Sequence, residues 1–120
     1  MPEYDNWLTP LWQDRLSELG PILASNAAQA EANSQLAPEV VAALKQHGAC
    51  NLFLPRALGG EEVDPVSCAL ITEELARCDS AAAWFVMVAN SPRLMAASWP
   101  EKLVELLWQN TPNTIIAASG

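Results

Sequence analysis

Three kinds of side chain in this sequence could take part in nucleophilic or acid–base chemistry: one histidine, three cysteines and a pair of glutamates within an apolar stretch. His47 precedes Gly48 at the predicted end of a helix, where a histidine interacts favourably with the helix dipole. We therefore interpret His47 as structural. Cys50, Cys68 and Cys78 have spacings that match no zinc motif, so we predict reduced, buried thiols and no metal site.

The glutamate pair, Glu73 and Glu74, lies in the least polar part of the sequence. Adjacent side chains on a helix point about 100° apart, so these two carboxylates cannot share a proton as a catalytic pair. Arg77 follows at the spacing of a helical ion pair, which favours a structural role. The sequence therefore predicts no catalytic residue.

Two long helical patterns follow one another over residues 64–95, and the rest of the chain is expected to pack around them. Asp64 followed by Pro65 is typical of a helix start, and a stripe of apolar residues comes next. Asp79 and Ser80 interrupt this stripe and are predicted to cap the second helix. Residues 81–89 (AAAWFVMVA) are apolar on every side, so we expect this second helix to be wrapped by protein.

Two helices are predicted at the start of the chain. Thr9 and Pro10 open the first helix, and Gly20 and Pro21 are expected to interrupt it. The second helix then runs from Pro21 to near Ser34.

A further helix is predicted from Pro38, with Gly48 as its left-handed stop. Its inward-facing residues are Val40, Val41 and Leu44. The double glycine at 59–60 can adopt positive φ angles but lacks the lysine and the spacing of a phosphate-binding loop. We interpret it as a structural turn.

The last part of the chain combines a short helix with a segment of strand composition. Ser98 and Glu101 have the spacing of a capping box at the start of that helix. Residues 110–113 predict a turn, and 114–118 (TIIAA) predict a strand that has no partner in this chain. The predicted fold class is therefore all-α, an up-and-down domain of five to six helices over residues 1–112. The first strand of an absent, truncated middle β domain follows at 113–120.

The composition excludes several classes of partner. Hydrophobic residues make up 51% of the 120 residues, and the formal net charge is −8. That charge repels the phosphates of nucleic acids and of anionic lipids. The longest apolar run is too short to cross a bilayer, and the acidic start lacks the features of a secretory signal. We expect a cytoplasmic protein with no nucleic-acid or membrane partner.

Four segments, in this order, resemble the N-terminal helical domain of the acyl-CoA dehydrogenase superfamily. They are LAPEVVAALKQHG (36–48), LFLPRALGG (52–60), ITEELARCD (71–79) and ANSPRLM (89–95). The resemblance covers about two thirds of the chain and none of residues 1–20. The AAAWFVMVANS segment, the IIAASG ending and the tryptophans Trp99 and Trp108 look more similar to the flavin-dependent monooxygenases of the superfamily than to its dehydrogenases.

This resemblance implies the N-terminal domain of a flavin-dependent monooxygenase, or hydroxylase. It implies FMN or FAD in the parent chain, a small-molecule substrate, a partner flavin reductase and assembly as a homotetramer. It also implies that the middle and C-terminal domains supply most flavin contacts, so that this chain alone binds no flavin and is inactive. Two alternatives stay open: the N-terminal domain of an FAD-dependent acyl-CoA dehydrogenase, and a non-catalytic helical interaction domain.

In this family the helical domain contributes one wall of the substrate pocket, chiefly the end of one helix and the turn after it. By position, the resemblance assigns six substrate-binding candidates: Trp84, Met87, Val88, Asn90, Ser91 and Leu94. The first three are equally explained as core residues, and Asn90 with Ser91 as a helix end before Pro92. If further domains normally cover this one, an apolar patch should be exposed over residues 84–95 and at Ile115 and Ile116.

Overall fold

The computed structural model describes residues 8–116, and the regular structure within this range is entirely helical. Five α-helices follow one another: α1 (Pro10–Asn33), α2 (Pro38–Gln46), α3 (Pro65–Cys78), α4 (Ser80–Met95) and α5 (Glu101–Trp108). Short 3₁₀ turns lie in the connections, at Ala49–Asn51, Arg56–Leu58 and Ala96–Ser98. None of these helices is both long and apolar enough to cross a membrane. The prediction of an all-α fold is confirmed.

Helix α1 is one continuous helix of 24 residues, so the predicted interruption at Gly20 and Pro21 is wrong. Proline removes a backbone donor and usually kinks or ends a helix. Tertiary packing outweighs that cost here, because Leu19 and Leu23 on either side are fully buried in the core. A Cβ at position 20 would lie 3.3 Å from the Sγ of Cys78, so glycine lets α1 and α3 pack closely.

The starts of α3 and α4 form as the sequence predicts. The Oδ1 of Asp64 accepts a hydrogen bond from the backbone N–H of Ser67 at 2.9 Å. The Oδ1 of Asp79 accepts one from the backbone N–H of Ala81 at 3.0 Å. Each carboxylate therefore satisfies a backbone donor that a helix leaves free in its first turn.

The main core lies where α1, α2, α3 and α4 meet. Its fully buried members are small or aliphatic side chains, and Trp12 covers one end. They include Leu19, Leu23, Val40, Leu44, Leu52, Ile71, Leu75, Val86 and Ala89. Val41, which was predicted to face inward with Val40 and Leu44, is half-buried.

Residues 49–63 pack against this core without forming a long helix or a strand. Gly48 has the predicted positive φ of 78°, and Gly59 has a φ of 86°. Gly60 is needed for another reason: a Cβ there would collide with the carbonyl of Leu54. Backbone hydrogen bonds from residues 61–63 to residues 51–54 close this loop, including Val63 N–H to Leu52 C=O at 2.8 Å.

Helix α5 begins at Glu101, and the predicted capping box is absent. Pro100 occupies the N-cap position without a side-chain hydrogen bond, and the Ser98 hydroxyl donates instead to the carbonyl of Met95. The 3₁₀ turn at Ala96–Ser98 leaves this serine two residues before the N-cap position of α5, which Pro100 occupies. Burial of Trp108 anchors the helix instead.

The predicted strand is not formed at 114–116, and Ala117 and Ala118 lie outside the described residues. A strand requires a neighbouring strand for its hydrogen bonds, and residues 8–116 provide none. Ile115 packs against the main core, and Ile116 packs against a second cluster around Trp108 and Leu54. These two isoleucines are therefore half-buried, contrary to the predicted patch.

Candidate functional site

Five of the six candidate residues lie along one side of α4, which we call the outer face. Trp84 is 66% exposed, Leu94 is 56% exposed and Met87 is 43% exposed. Val88 is half-buried, and Ser91 is exposed. Met95, which the sequence prediction did not include, is 60% exposed. At about 100° per residue these positions fall on one helical stripe.

The outer face corrects the expectation that α4 is wrapped by protein. The helix is apolar on every side, as the sequence indicates, but the described residues cover only the side that carries Ala82, Val86 and Ala89. Large exposed apolar side chains that follow one another on a single helix face mark a surface that contacts something else. The core explanation for Trp84 and Met87 is therefore wrong in this structure.

Helix α4 also continues through Pro92 to Met95, so Leu94 lies on the helix and not in a turn after it. Three side chains near the proline donate to carbonyls four residues earlier. Asn90 bonds to Val86 O at 2.9 Å, Ser91 bonds to Met87 O at 2.8 Å, and Arg93 bonds to Ala89 O. These bonds and the burial of Pro92 itself hold the last turn in helical form.

Asn90 points away from the outer face and into the core, where it is 2% exposed. Its Oδ1 accepts from the backbone N–H of Leu52 at 2.8 Å, and its Nδ2 donates to Ala49 O at 2.8 Å. With the bond to Val86, this amide satisfies backbone groups on two elements. Asn90 thus fixes α4 against the loop at 49–52, on the side opposite the other candidates.

Arg93 is the second polar side chain on the inner side of α4, and sequence reasoning missed it. It is 2% exposed, and its guanidinium lies 5.3 Å from the centre of the Trp108 ring. Its Nη2 donates to Pro112 O at 3.1 Å and to Thr114 O at 2.7 Å. The available signal was an arginine on a predicted buried helix without an acidic residue three or four positions away.

The chain matches the acyl-CoA dehydrogenase N-terminal domain family over residues 21–99. This chain belongs to that family. The match contains α2, α3 and α4 completely, and therefore the whole outer face. The predicted superfamily resemblance is confirmed.

One curated protein that is similar to this chain is a monooxygenase. The chain is 26% identical over 91 residues to an indole-3-acetate monooxygenase of Acinetobacter baumannii. The aligned region is 76% of this chain and 23% of the relative, so the chain spans about a quarter of that protein's length.

The residues that could carry out acid–base chemistry are engaged in structural contacts. His47 contacts Ala43 O through Nδ1 and Glu18 Oε2 through Nε2, both at 2.8 Å. Arg77 pairs with Glu73 at 3.2 Å and with Glu74 at 3.1 Å, as predicted, and all three side chains are well exposed. Such surface pairs contribute little to stability.

The cysteines are free thiols that pack in or beside the main core. Burial raises the pKa of the Cys50 thiol to about 11, although the charges of Arg93 and Lys45 act in the opposite direction. Burial also raises the pKa of Cys68. A thiol with a raised pKa is a poor nucleophile at neutral pH. Among residues 8–116, no group of three histidine, cysteine or acidic side chains could hold a metal ion.

A flavin phosphate would find no free buried cation among residues 8–116. Arg93 is the buried cation of residues 8–116, and both of its terminal nitrogens already donate to carbonyl oxygens. Three open depressions of about 470 to 700 Å³ lie beside α1, and none is lined by a residue of the outer face. The family and the monooxygenase relative imply a flavin in the parent protein.

Proposed function

We propose that this chain is the N-terminal domain of a flavin-dependent monooxygenase and that the outer face of α4 forms one wall of its substrate pocket. The observation that carries the proposal is the apolar surface that Trp84, Met87 and Leu94 expose along one face of α4, together with the half-buried Val88. Family membership and the similarity to a monooxygenase support it.

The chemistry of this face suits a flat, mostly apolar substrate. Trp84 offers an aromatic surface for stacking, and the Met87 thioether adapts its shape to an apolar ring. Ser91 lies between them and Leu94, and its hydroxyl donates to Met87 O. The lone pairs of its oxygen remain free to accept a hydrogen bond from a substrate N–H or O–H group.

The wall would act by positioning the substrate and by excluding water. Reduced flavin reacts with oxygen and supplies the oxidising chemistry of such enzymes, with FMN or FAD held by other parts of the protein. An apolar wall lowers the amount of water near the reacting atoms and so suppresses unproductive side reactions. A reductase partner and a homotetrameric assembly in the cytoplasm belong to the same proposal.

An acyl-CoA dehydrogenase is the second candidate, because the family that matches the chain takes its name from that activity. An apolar helix face is equally suited to a fatty acyl chain. Glu73 and Glu74 are paired with Arg77 on α3, so we do not propose either as the carboxylate base of that reaction. A non-catalytic helical interaction domain would use the same face to bind a protein.

The deciding experiment uses the protein expressed from its complete reading frame. Chemically reduced FMN or FAD is added without oxygen, indole-3-acetate is supplied as the substrate probe, and air is then admitted. Oxygen-dependent conversion of the probe, or of a related aromatic acid, is the expected result. Direct reduction of bound flavin by an acyl-CoA under anaerobic conditions would identify a dehydrogenase and overturn the proposal.

A matched pair of leucine variants tests the pocket wall itself. Leu94 on α4 and Leu106 on α5 are both exposed, at 56% and 80%. Leu94→Ala should raise the KM of the enzyme for its substrate several-fold, because the substrate loses apolar contacts when this side chain is truncated. Leu106→Ala should leave KM unchanged. Equal effects of the two variants would contradict a specific role for the outer face.

A further inference from the structure

Arg93 joins α4 to the segment that follows α5, and its charged side chain is removed from water to do so. Its guanidinium contacts three backbone carbonyls: Ala89 on its own helix, and Pro112 and Thr114 after α5. Within residues 8–116 no carboxylate forms an ion pair with it. Burial lowers the pKa of Arg93 because the charged form is removed from water. Burying a cation without a counter-ion costs free energy, so other contacts must stabilise Arg93 in this position.

The surroundings of Arg93 supply partial negative charge in place of a carboxylate. The carbonyl dipoles at the C-terminal end of α4 favour a cation there. The face of Trp108 provides a cation–π contact, and the Nε1 of the same indole donates to Thr114 O at 3.1 Å. Thr114 O therefore accepts from both Arg93 and Trp108, which fixes this carbonyl from two directions.

The same segment is also tied to the loop that Asn90 holds. The Nδ2 of Asn51 donates to the Oδ1 of Asn113 at 2.9 Å, and Asn51 is 4% exposed. Asn90 fixes the flanking residues Ala49 and Leu52. The inner side of α4 thus holds two irregular segments, 49–52 and 112–114, which are also bonded to each other.

In the sequence, Arg93 lies between two residues of the outer face, although its own side chain is on the inner side of α4. Ser91 precedes it by two positions and Leu94 follows it immediately, so any rotation of the last turn of α4 moves all three together. A rotation that repositioned Leu94 would also break the bonds from Arg93 to Pro112 and Thr114. The register of the outer face and the path of residues 112–114 are therefore mechanically linked.

We propose that Arg93 is a positioning residue that sets the register of the outer face against the segment 112–114. This inference rests on the proposed function, because it gives the linkage its purpose: the substrate wall on α4 keeps a fixed orientation toward the chain that follows α5. Arginine is required because its planar fork contacts two elements and an aromatic face at once. Lysine carries the same charge at a single point and cannot reproduce those contacts.

The test compares Arg93→Lys and Arg93→Met with matched variants of the exposed Arg77, in the protein from its complete reading frame. Hydrogen exchange is followed in peptides covering residues 91–95, residues 109–116 and the buried stretch 19–23. Both Arg93 variants should accelerate exchange in the first two regions by about tenfold or more and leave 19–23 unchanged, because only local opening is affected. Arg77→Lys and Arg77→Met should change none of the three.

The second readout separates positioning from a purely structural role. With the substrate probe of the preceding proposal, Arg93→Lys should raise KM several-fold while kcat and the overall unfolding transition stay near those of the unmodified protein. Unchanged exchange at 109–116 would overturn the inference, and so would faster exchange with an unchanged KM.

If the protein has no oxygenase activity, the proposed function fails. Faster exchange in both 91–95 and 109–116 would still establish the linkage, and faster exchange in only one of them would refute it.

Discussion

The two sides of α4 show the reverse of the usual distribution of polarity on a surface helix. The inner side carries Asn90 and Arg93, each 2% exposed, and the outer side carries Trp84 and Leu94, each more than half exposed. Buried polar side chains need hydrogen-bond partners, and here the Asn90 amide and the terminal nitrogens of Arg93 bond to backbone groups of two irregular segments. The inner side is therefore committed to the fold, whereas the outer side contributes little to it within residues 8–116.

This difference separates residues that a fold requires from residues that a function requires. A side chain whose removal leaves buried partners without hydrogen bonds is under a structural constraint. Several large apolar side chains exposed side by side on one helix face indicate a contact outside the described structure. Four substitutions and a pH series test whether the two sides of α4 divide in this way.

The largest expected effect is that of Asn90→Ala. It removes the partners of Leu52 N–H and Ala49 C=O, so the free energy of unfolding should fall by about 3 kcal/mol. Chemical denaturation measures the change. Ser91→Ala is the control at the neighbouring position, and it should cost less than about 0.5 kcal/mol because Ser91 is exposed. Similar losses of stability in both variants would contradict the difference proposed between the inner and outer sides of α4.

The pH dependence of stability should report on Cys50, which lies in the turn held by Asn90. Its folded-state pKa is raised from 9.0 to about 11, so between these values the unfolded chain loses a proton that the folded chain retains. Stability should therefore fall as the pH rises from 9 to 11, by about 2 kcal/mol from this thiol. Unfolding of Cys50→Ala across the same range should lack that part of the decline, whereas Cys78→Ala should keep it.

Trp108→Phe tests the aromatic partner of Arg93. The substitution keeps a ring against the guanidinium but removes the N–H that donates to Thr114 O. The free energy of unfolding should fall by about 1 kcal/mol, the usual value of one such hydrogen bond. A loss several times larger in denaturation experiments would mean that the packing of Trp108, and not its hydrogen bond, fixes the segment 112–114.

The smallest effect on stability is expected for Trp84→Ala. A buried tryptophan would cost about 3–5 kcal/mol on truncation, but Trp84 is 66% exposed and should cost less than about 1 kcal/mol. Activity measurements with the complete protein should show a change in KM instead. If the free energy of unfolding falls by far more than about 1 kcal/mol, Trp84 is required by the fold.

Local signals explain which parts of the fold were predictable. Asp64 and Asp79 cap their helices because a carboxylate next to free backbone donors acts over a few residues. The ion pairs of Arg77 follow from helical spacing alone. For these features one segment of chain determined the outcome, and the sequence was sufficient.

The errors arose where distant residues decided the outcome. Pro21 and Pro92 do not end their helices, because burial of neighbouring side chains offsets the lost hydrogen bond. The strand predicted at 114–118 needs a partner for its backbone, and residues 114–116 are instead held by Arg93 and the core. Ser98 is an exception, because the 3₁₀ turn that shifts the start of α5 lies in the same short segment of chain.

The sequence by itself determined the helical class, the family and the stretch of α4 on which the candidate site lies. It did so because periodicity, caps and motif order are properties of neighbouring residues. Only the tertiary structure decided that Asn90 faces inward, that Arg93 holds the segment 112–114 and that Trp84 is left exposed. An apolar helix has no intrinsic inner side, so the elements packed against it choose which of its residues are covered.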